Sequence, residues 1–291
     1  MNRNIWRILV NAVRSADRRA PRMGRRCRFS DQQIVKMYLW SVWHDRPLCW
    51  ACDRTNYHHR YHPKQVPSIS QFCRRVKMPR IQTMLQYVNE YLTRTEAPSR
   101  LSFFDGKSLP ISDYSCDPDA RIGYGTGKFQ RGYKLHAWAT SDEKIPCFTV
   151  RPLNEGEAKV ARELVVKIPK SSWVLADTNY DSSVLYTKVA ERGSQLFTPL
   201  KGRSQTKRRL QRMGAGRRMA VHMWNQRESM CTRMLHLRDQ IERIFSSLTC
   251  FGGGLTTLPP WVRHLDRVTR WVTAKIAIYH ARLYCRKEAV A

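Results

Sequence analysis

Leu101-Ser-Phe-Phe-Asp105-Gly106-Lys107 is an apolar run that ends in an acid, a glycine and a base. A second apolar run, Trp173-Val-Leu-Ala176, likewise ends in an acid, Asp177. Short apolar runs bounded by turn residues are typical of buried strands, so we predict strands at 101–105 and 173–177. The two aspartates are therefore expected where core strands end.

A third acid, Glu242, lies on a predicted helix, because apolar residues recur around it at helical spacing. Two carboxylates at strand ends and one on a helix can converge on one point, and carboxylate oxygens are ligands for divalent cations. Two such cations catalyse phosphoryl transfer. We predict that Asp105, Asp177 and Glu242 are both the metal ligands and the catalytic residues. Taken singly, each has an ordinary explanation, as a turn residue, a helix cap or a surface ion pair.

The chain is strongly basic, with 52 Lys and Arg against 23 Asp and Glu in 291 residues. A net charge of +29 together with 42% hydrophobic residues predicts a folded protein that binds a polyanion. No apolar stretch approaches the roughly 20 residues of a membrane span, and the start has no apolar segment typical of a secretory signal. Nine cysteines without framework spacing predict reduced thiols. We therefore expect a cytoplasmic protein that binds nucleic acid.

The first 95 residues are predicted to divide into an arm and a small helical domain. Residues 1–29 carry nine arginines and one acid, which predicts a basic arm that is solvated or contacts phosphate. Ser30 and Ser68 are each followed three residues later by glutamine, the pattern of a capping box at a helix start. We expect residues 30–95 to form an all-helical domain that binds DNA or another partner.

From residue 100 onward, strands and helices alternate. Further strands are predicted at 132–139, 146–152 and 195–199, and helices at 157–168, 182–192 and 261–286. This order predicts an α/β fold in which helices cover a mixed five-stranded sheet. We assign residues 100–286 to this one domain.

Four motifs follow one another in this region: Asp105-Gly-Lys, Gly132-Tyr-Lys-Leu-His136, Leu-Ala-Asp177-x-x-Tyr180-Asp181 and Arg238-x-x-x-Glu242-Arg-x-Phe245. In this order they resemble the DDE transposases of bacterial insertion sequences, most closely the group around insertion sequences four and five. The resemblance implies a ribonuclease H-like core that carries the three acids as a metal triad. It also implies two Mg²⁺ ions, for which Mn²⁺ substitutes, in cleavage at the ends of a mobile element and transfer of the freed 3′-hydroxyl into target DNA.

The resemblance also implies partners and a location. These are double-stranded DNA, as element ends and as target, a homodimer on paired DNA ends, no membrane, and the nucleoid in a bacterial cytoplasm. Part of the group has a Tyr and a Lys where this chain has Leu235 and Thr249, so the hairpin-forming cleavage route of that subgroup is not implied. Two other functions stay open: a catalytically silent DNA-binding protein descended from a transposase, and a ribonuclease H-like nuclease without strand transfer.

Basic residues around these motifs are the predicted DNA contacts. Arg238 lies one helical turn before Glu242, and residues 201–227 carry nine Lys or Arg and no acid. Gly214-Ala-Gly216 in that run predicts a mobile loop that follows the DNA backbone. For each residue the alternative is an ordinary solvated face. The full set is Lys107, Lys134, His136, Arg238, Lys201, Arg203, Lys207, Arg208, Arg209, Arg212, Arg217, Arg218, Arg74, Arg75 and Lys77.

Three smaller signals have competing interpretations. Cys49 and Cys52, with His58, His59 and His62, offer zinc ligands, but the spacing is not that of a standard finger and helix packing is the favoured interpretation. Trp224 could stack on an unpaired base, although packing is again favoured. Asp181 could be a spare carboxylate of the triad, or simply the start of a helix.

Overall fold

The computed structural model describes residues 3–21, 27–58, 61–94, 99–168, 171–201 and 211–288. It forms two compact units, one of residues 1–94 with 248–291 and the other of residues 95–247. In chain order the helices and strands are α1 (Arg3–Arg19), α2 (Asp31–Trp43), α3 (Ile69–Val76), α4 (Pro79–Thr93), β1 (Ser99–Pro110), β2 (Arg121–Gly125), β3 (Lys128–Thr140), β4 (Cys147–Pro152), α5 (Glu157–Leu164), β5 (Ser171–Leu175), α6 (Ser183–Glu191), β6 (Gln195–Phe197), α7 (Ala215–Gln226), α8 (Glu228–His236), α9 (Asp239–Thr249) and α10 (Leu265–Glu288).

The basic arm predicted for residues 1–29 is wrong over its first part, because α1 is a packed amphipathic helix. Its apolar residues recur at helical spacing and seven of its side chains are buried, among them Trp6, Leu9 and Val13. The arginines lie between them and dominate the composition. High charge therefore concealed a helical period that is present in the sequence.

The last helix, α10, lies in the first compact unit, although it falls within residues 100–286, which are predicted to form one domain. It packs against α1, α2 and α4. Fourteen of its residues are buried, including Lys275, whose Nζ lies 2.7 Å from Asp45 Oδ1.

The capping box at Ser68 is present as predicted. No helix within the described ranges is long and apolar enough to cross a membrane.

The second unit is built on a mixed sheet whose strand order is β2-β3-β1-β5-β6, with β4 paired to β3. β1, β3 and β4 are antiparallel neighbours, whereas β5 and β6 run parallel to β1. The predicted α/β class, with a helical N-terminal region before a sheet flanked by helices, is confirmed. The sheet has six strands and not five, because the glycine-rich segment Arg121–Gly125 forms a hairpin with β3.

The pairing of β1 with β5 sets the relative position of the two predicted catalytic aspartates. Ser102 lies opposite Val174, and Phe103 lies opposite Leu175. Continued by two residues, this register brings Asp105 level with Asp177. The bulky apolar residues before each aspartate are buried, so the strands are anchored in the core up to the point where the acids begin.

Arg80 joins the chain segments of the first unit. Its side chain is 9% exposed and lies 2.6 Å from both Asp17 Oδ1 and Asp31 Oδ2. It also donates to the carbonyl oxygens of Ala20 and Pro21. One guanidinium thus links α1, the start of α2 and α4.

We expect Arg80→Met to lower the free energy of unfolding by about 3 kcal/mol, because it leaves two carboxylates partly buried without their partner. Arg74→Met is the matched control, since Arg74 is an exposed arginine six residues earlier, and its effect should stay within about 0.5 kcal/mol. Urea denaturation followed by circular dichroism measures both. Equal effects would show that the Arg80 ion pairs do not stabilise this unit.

Candidate active site

Asp105 lies within β1, which continues beyond the predicted strand as far as Pro110. Its Oδ1 accepts a hydrogen bond from the Gly106 amide at 2.8 Å, and the side chain is 17% exposed. The next residue, Gly106, faces His136 on β3. The carboxylate is therefore held by rigid sheet backbone and is largely shielded from water.

Asp177 follows β5 by two residues and caps a short 3-10 helix, Thr178–Tyr180. Its Oδ1 accepts from the Asn179 amide at 2.8 Å. The helix is anchored by Tyr180, whose ring stacks on Phe104, the residue before Asp105, with centroids 5.7 Å apart. The cap interpretation is thus correct for the local geometry, and the same turn holds Asp177 beside β1.

Glu242 lies in the first turn of α9 and joins the other acids through Arg238. The guanidinium of Arg238 is 3.9 Å from Asp105 Oδ2 and 3.4 Å from Glu242 Oε1. Gln240 secures the start of α9 by donating to the carbonyl oxygen of Ser141 at 2.8 Å. The ligand oxygens of the three acids do not all lie within 4.8 Å of one another. Asp105 and Glu242 instead share one arginine.

The electrostatics of this site oppose ionisation of both aspartates. Burial raises the pKa of Asp105 to about 6, with the charges of Asp177 and Glu157 adding to the rise while the Gly106 amide and Arg238 oppose it. Burial also raises the pKa of Asp177, again with Glu157 contributing. The negative charges are thus close enough to repel, and Arg238 offsets only part of that repulsion.

Glu157 is a fourth acid of this site, and the sequence analysis did not identify it. It lies in the first turn of α5 and accepts from Lys134 Nζ at 2.8 Å, with both side chains close to nine-tenths buried. A Cβ on Gly106 would come within 3.1 Å of Glu157 Oε1 and 2.9 Å of Lys134 Cδ. Gly106 therefore leaves room for this ion pair beside Asp105. The signal in the sequence was an acid soon after a strand, which was interpreted only as a helix start.

Two predicted DNA contacts belong instead to the interior of the unit. Lys134 is occupied by Glu157, as described above. His136 is 1% exposed, and burial, followed by the charges of Lys134 and Arg151, lowers its pKa to about 3. It is therefore neutral at physiological pH and inaccessible to a phosphate, which corrects the prediction. Lys107 is half-buried on β1, two residues beyond Asp105.

The predicted mobile loop around Gly214-Ala-Gly216 is the start of a helix, because Gly214 caps α7 and Gly216 packs close to the backbone of α6. Arg217 on this helix pairs with Asp181 at 2.9 Å, and the Asp181 side chain is completely buried. Asp181 also accepts from the Lys201 amide at 2.8 Å. Asp181 and Arg217 are therefore a structural pair, and Arg217 is not available to DNA as predicted.

The remaining predicted cations divide by exposure. Arg75 lies 2.5 Å from Asp31 and is held in the first unit, whereas Arg74 and Lys77 on or beside the same helix are exposed. Lys201, Arg212 and Arg218 are also exposed. Arg203, Lys207, Arg208 and Arg209 lie outside the described residues.

The packing interpretation of Trp224 is correct. Its Nε1 donates to the Thr198 carbonyl at 3.0 Å, and its ring stacks on Phe197. The zinc site considered for the cysteine and histidine cluster is not formed, because no three ligand atoms lie within 4.8 Å of one another among Cys49, Cys52, His58 and His62. His59 lies outside the described residues. The described part of the chain thus contains no zinc site at these positions.

Comparisons with known proteins bear on the motifs and on the fold. No curated protein matches the chain. A solved structure similar to it is that of piggyBac transposase in a synaptic complex with hairpin DNA, at 11% identity and a TM-score of 0.43, over 99% of this chain and 74% of that one. The family model for the transposase DDE domain matches residues 96–278, more than half of the chain and the whole of the sheet with its acids. The chain belongs to the transposase DDE domain family and is a DNA transposase of the DDE class.

Proposed function

We propose that this transposase, of the bacterial insertion sequence four and five group, cuts double-stranded DNA at the ends of a mobile element and joins the freed 3′-hydroxyl to target DNA. Two Mg²⁺ ions are the cofactors, with Mn²⁺ able to replace them. Asp105, Asp177 and Glu242 are the ligands and the catalytic residues. The observation that carries this proposal is that the charge of Asp177 acts on the largely buried Asp105, while Arg238 contacts both Asp105 and Glu242.

The residues of the site fit divalent cations. Asp105 and Asp177 are ionised only at an electrostatic cost, and Glu157 Oε2 and the Tyr180 hydroxyl are buried polar atoms without a hydrogen-bond partner among the described residues. Added positive charge lowers that cost, which is the behaviour expected of a cation site. Asp105, Asp177 and Glu242 would hold the ions, and Glu157, which stays paired with Lys134, would add negative charge behind them.

The chemistry requires no covalent protein nucleophile. When bound, divalent cations supply Lewis acidity to the attacking and departing oxygens of a phosphodiester. Water first replaces the 3′-oxygen on phosphorus, which leaves a 3′-hydroxyl. That hydroxyl then replaces a 3′-oxygen of the target strand. Each step exchanges one P–O bond for another, so no external energy source is needed. Arg238 is suited to hold a non-bridging phosphate oxygen next to the carboxylates.

We propose that exposed cations of each unit contact duplex DNA. Lys201, Arg212 and Arg218 in the catalytic unit, and Arg74 with Lys77 in the other, are the described contacts that we propose, together with Lys107 near the carboxylates. They would contact phosphates and carry no base information. We also propose that the protein acts as a homodimer on paired ends and works at the nucleoid in the bacterial cytoplasm.

Asp105→Asn, Asp177→Asn and Glu242→Gln are each expected to lower the rate of DNA cleavage about a thousandfold or more, because each keeps the shape of the side chain and removes a ligand charge. The substrate is a plasmid that carries the gene with its native flanking DNA. Chelation of divalent ions should stop the wild type, and Mg²⁺ or Mn²⁺ should restore it. Joined products, detected by sequencing across new junctions, separate strand transfer from simple hydrolysis.

Asp239→Asn is the matched control, since it removes an exposed acid from the same first turn of α9. It should cleave at close to the wild-type rate. All four variants should bind DNA as the wild type does when metal is absent. Near wild-type cleavage by any triad variant would remove that residue from the site.

A second test uses the stability cost of the carboxylates. Because the native state binds a proton on Asp105 more tightly than the unfolded chain, raising the pH from about 4 to about 6 lowers stability, and the penalty is complete above pH 6. Asp105→Asn removes it and should therefore stabilise the metal-free protein at pH 7.5 by up to about 3 kcal/mol, with little gain at pH 4.5. Denaturation at both pH values measures the difference. A loss of stability at pH 7.5 would instead identify Asp105 as a structural residue.

A further inference from the structure

A basic groove lies in the first unit. It is formed by α1, the start of α2 and the segment up to residue 65. Six cations line it: Arg3, Arg7, Arg14, Arg28, Lys36 and Lys64. No Asp or Glu of the described chain takes part in the lining. Such an excess of one charge in a concave surface attracts anions.

The cations of this groove differ from the other arginines of the same unit. Arg80, Arg75 and Arg19 each pair with an acid. In the groove, among the described residues, Arg14 donates to the Asn11 side-chain oxygen and Arg28 to that of Gln65, which are neutral partners. The one carboxylate contact among the described residues is that of Arg7 with Glu288, at 3.8 Å and largely exposed. Most of the positive charge of the groove therefore has no acidic partner among the described residues.

Arg14 and Lys36 show the consequence most clearly. Lys36 is half-buried, and burial, followed by the charge of Arg14, lowers its pKa. The two cations line the same groove and repel each other, and no acid of the described chain lines it with them. An anion between them would relieve this repulsion and satisfy the donors of both side chains.

Aromatic residues form the rigid base of the groove. Trp6, Phe29 and Tyr57 are only 7%, 7% and 8% exposed, and Trp6 packs edge-to-face on Trp40 at 5.3 Å. Rings buried in this way cannot stack on nucleotide bases as an exposed platform does. The half-buried Tyr61 and the exposed His62 also line the groove, but cations outnumber them, so the accessible surface suits a chain of phosphates.

We propose that this groove binds the phosphodiester backbone of duplex DNA, at a site distinct from the catalytic carboxylates. The proposal rests on the DNA substrate of the proposed function and adds to it a second point of attachment. Because the contacts go to phosphates, the groove contributes affinity and orientation without base selection. Base reading, where it occurs, comes from elsewhere in the protein.

The test is the salt dependence of DNA binding by the full-length chain. Arg14→Gln/Lys36→Gln is compared with the wild type on a labelled 30-base-pair duplex of random sequence, by fluorescence anisotropy without divalent metal. Each lost phosphate contact should reduce the slope of log Kd against log salt by about 0.9, so the double variant should lose roughly 1.8. Arg3→Gln/Lys64→Gln, which changes two exposed residues of the same groove, should behave alike and guards against misfolding at the half-buried Lys36.

The matched control is Arg18→Gln/Arg46→Gln, which removes two exposed cations of the same unit outside the groove and should change the slope by much less than one. An unchanged slope in both groove variants, or an equal change in the control, would overturn the proposal. The proposal would also be overturned if the groove variants bound polyglutamate more weakly than the wild type but bound DNA equally well, because the groove would then bind an acidic protein segment.

Cleavage separates this proposal from the proposed function. At saturating DNA in Mg²⁺ the groove variants should cleave at the wild-type rate, whereas the DNA concentration that gives half-maximal cleavage should rise. If the wild type fails to cleave but the slopes change as expected, the proposed function fails and the groove remains. If the wild type cleaves and the slopes are unchanged, only the groove proposal fails.

Discussion

The parallel pairing of β1 with β5 is the constraint on which the site depends. It aligns the β1 residues before Asp105 with the end of β5, two residues before Asp177, and the stacking of Tyr180 on Phe104 fixes the turn that carries Asp177. Glu242 and Arg238 then complete the cluster from a helical segment. The arrangement is electrostatically unfavourable by itself, since desolvation and mutual repulsion raise the pKa of both aspartates. A folded core with many buried aromatic and aliphatic side chains is needed to hold it.

Much of this could be predicted from sequence, because it depends on local patterns. The runs before Asp105 and Asp177 are strands, and Glu242 is helical as its apolar spacing indicates. The strand β2 was missed because its glycines resemble a turn, and α1 was missed because arginines conceal its apolar period. The membership of α10 in the first unit depends on long-range packing, which no local pattern records.

The sequence predicted fewer of the contacts in the site than of the strands and helices, again because such contacts depend on long-range packing. Motif order predicts which three acids form the triad, but the partner of each cation depends on which chain segments meet. The sequence predicts that Lys134 lies on a strand, but it does not show whether its side chain binds a phosphate or an acid. Only the packing of α5 brings Glu157 into contact with it. Burial of His136 and the pairing of Arg217 with Asp181 follow in the same way from packing.

A single principle therefore sorts the charged residues of this protein. With 52 basic and 23 acidic residues, most cations cannot have an acidic partner. Some of the acids form largely buried ion pairs that join separate chain segments, as in the pairs of Arg80 with Asp17 and of Arg217 with Asp181. Many of the remaining cations of the described chain are exposed, and six line the groove for which we propose a phosphate chain as counterion. Asp105 and Asp177, whose pKa values burial raises, are the acids for which we propose divalent cations. Paired charges thus support the fold, whereas the groove cations and the two buried aspartates, which are incompletely neutralised, form the two sites that we propose bind ligands.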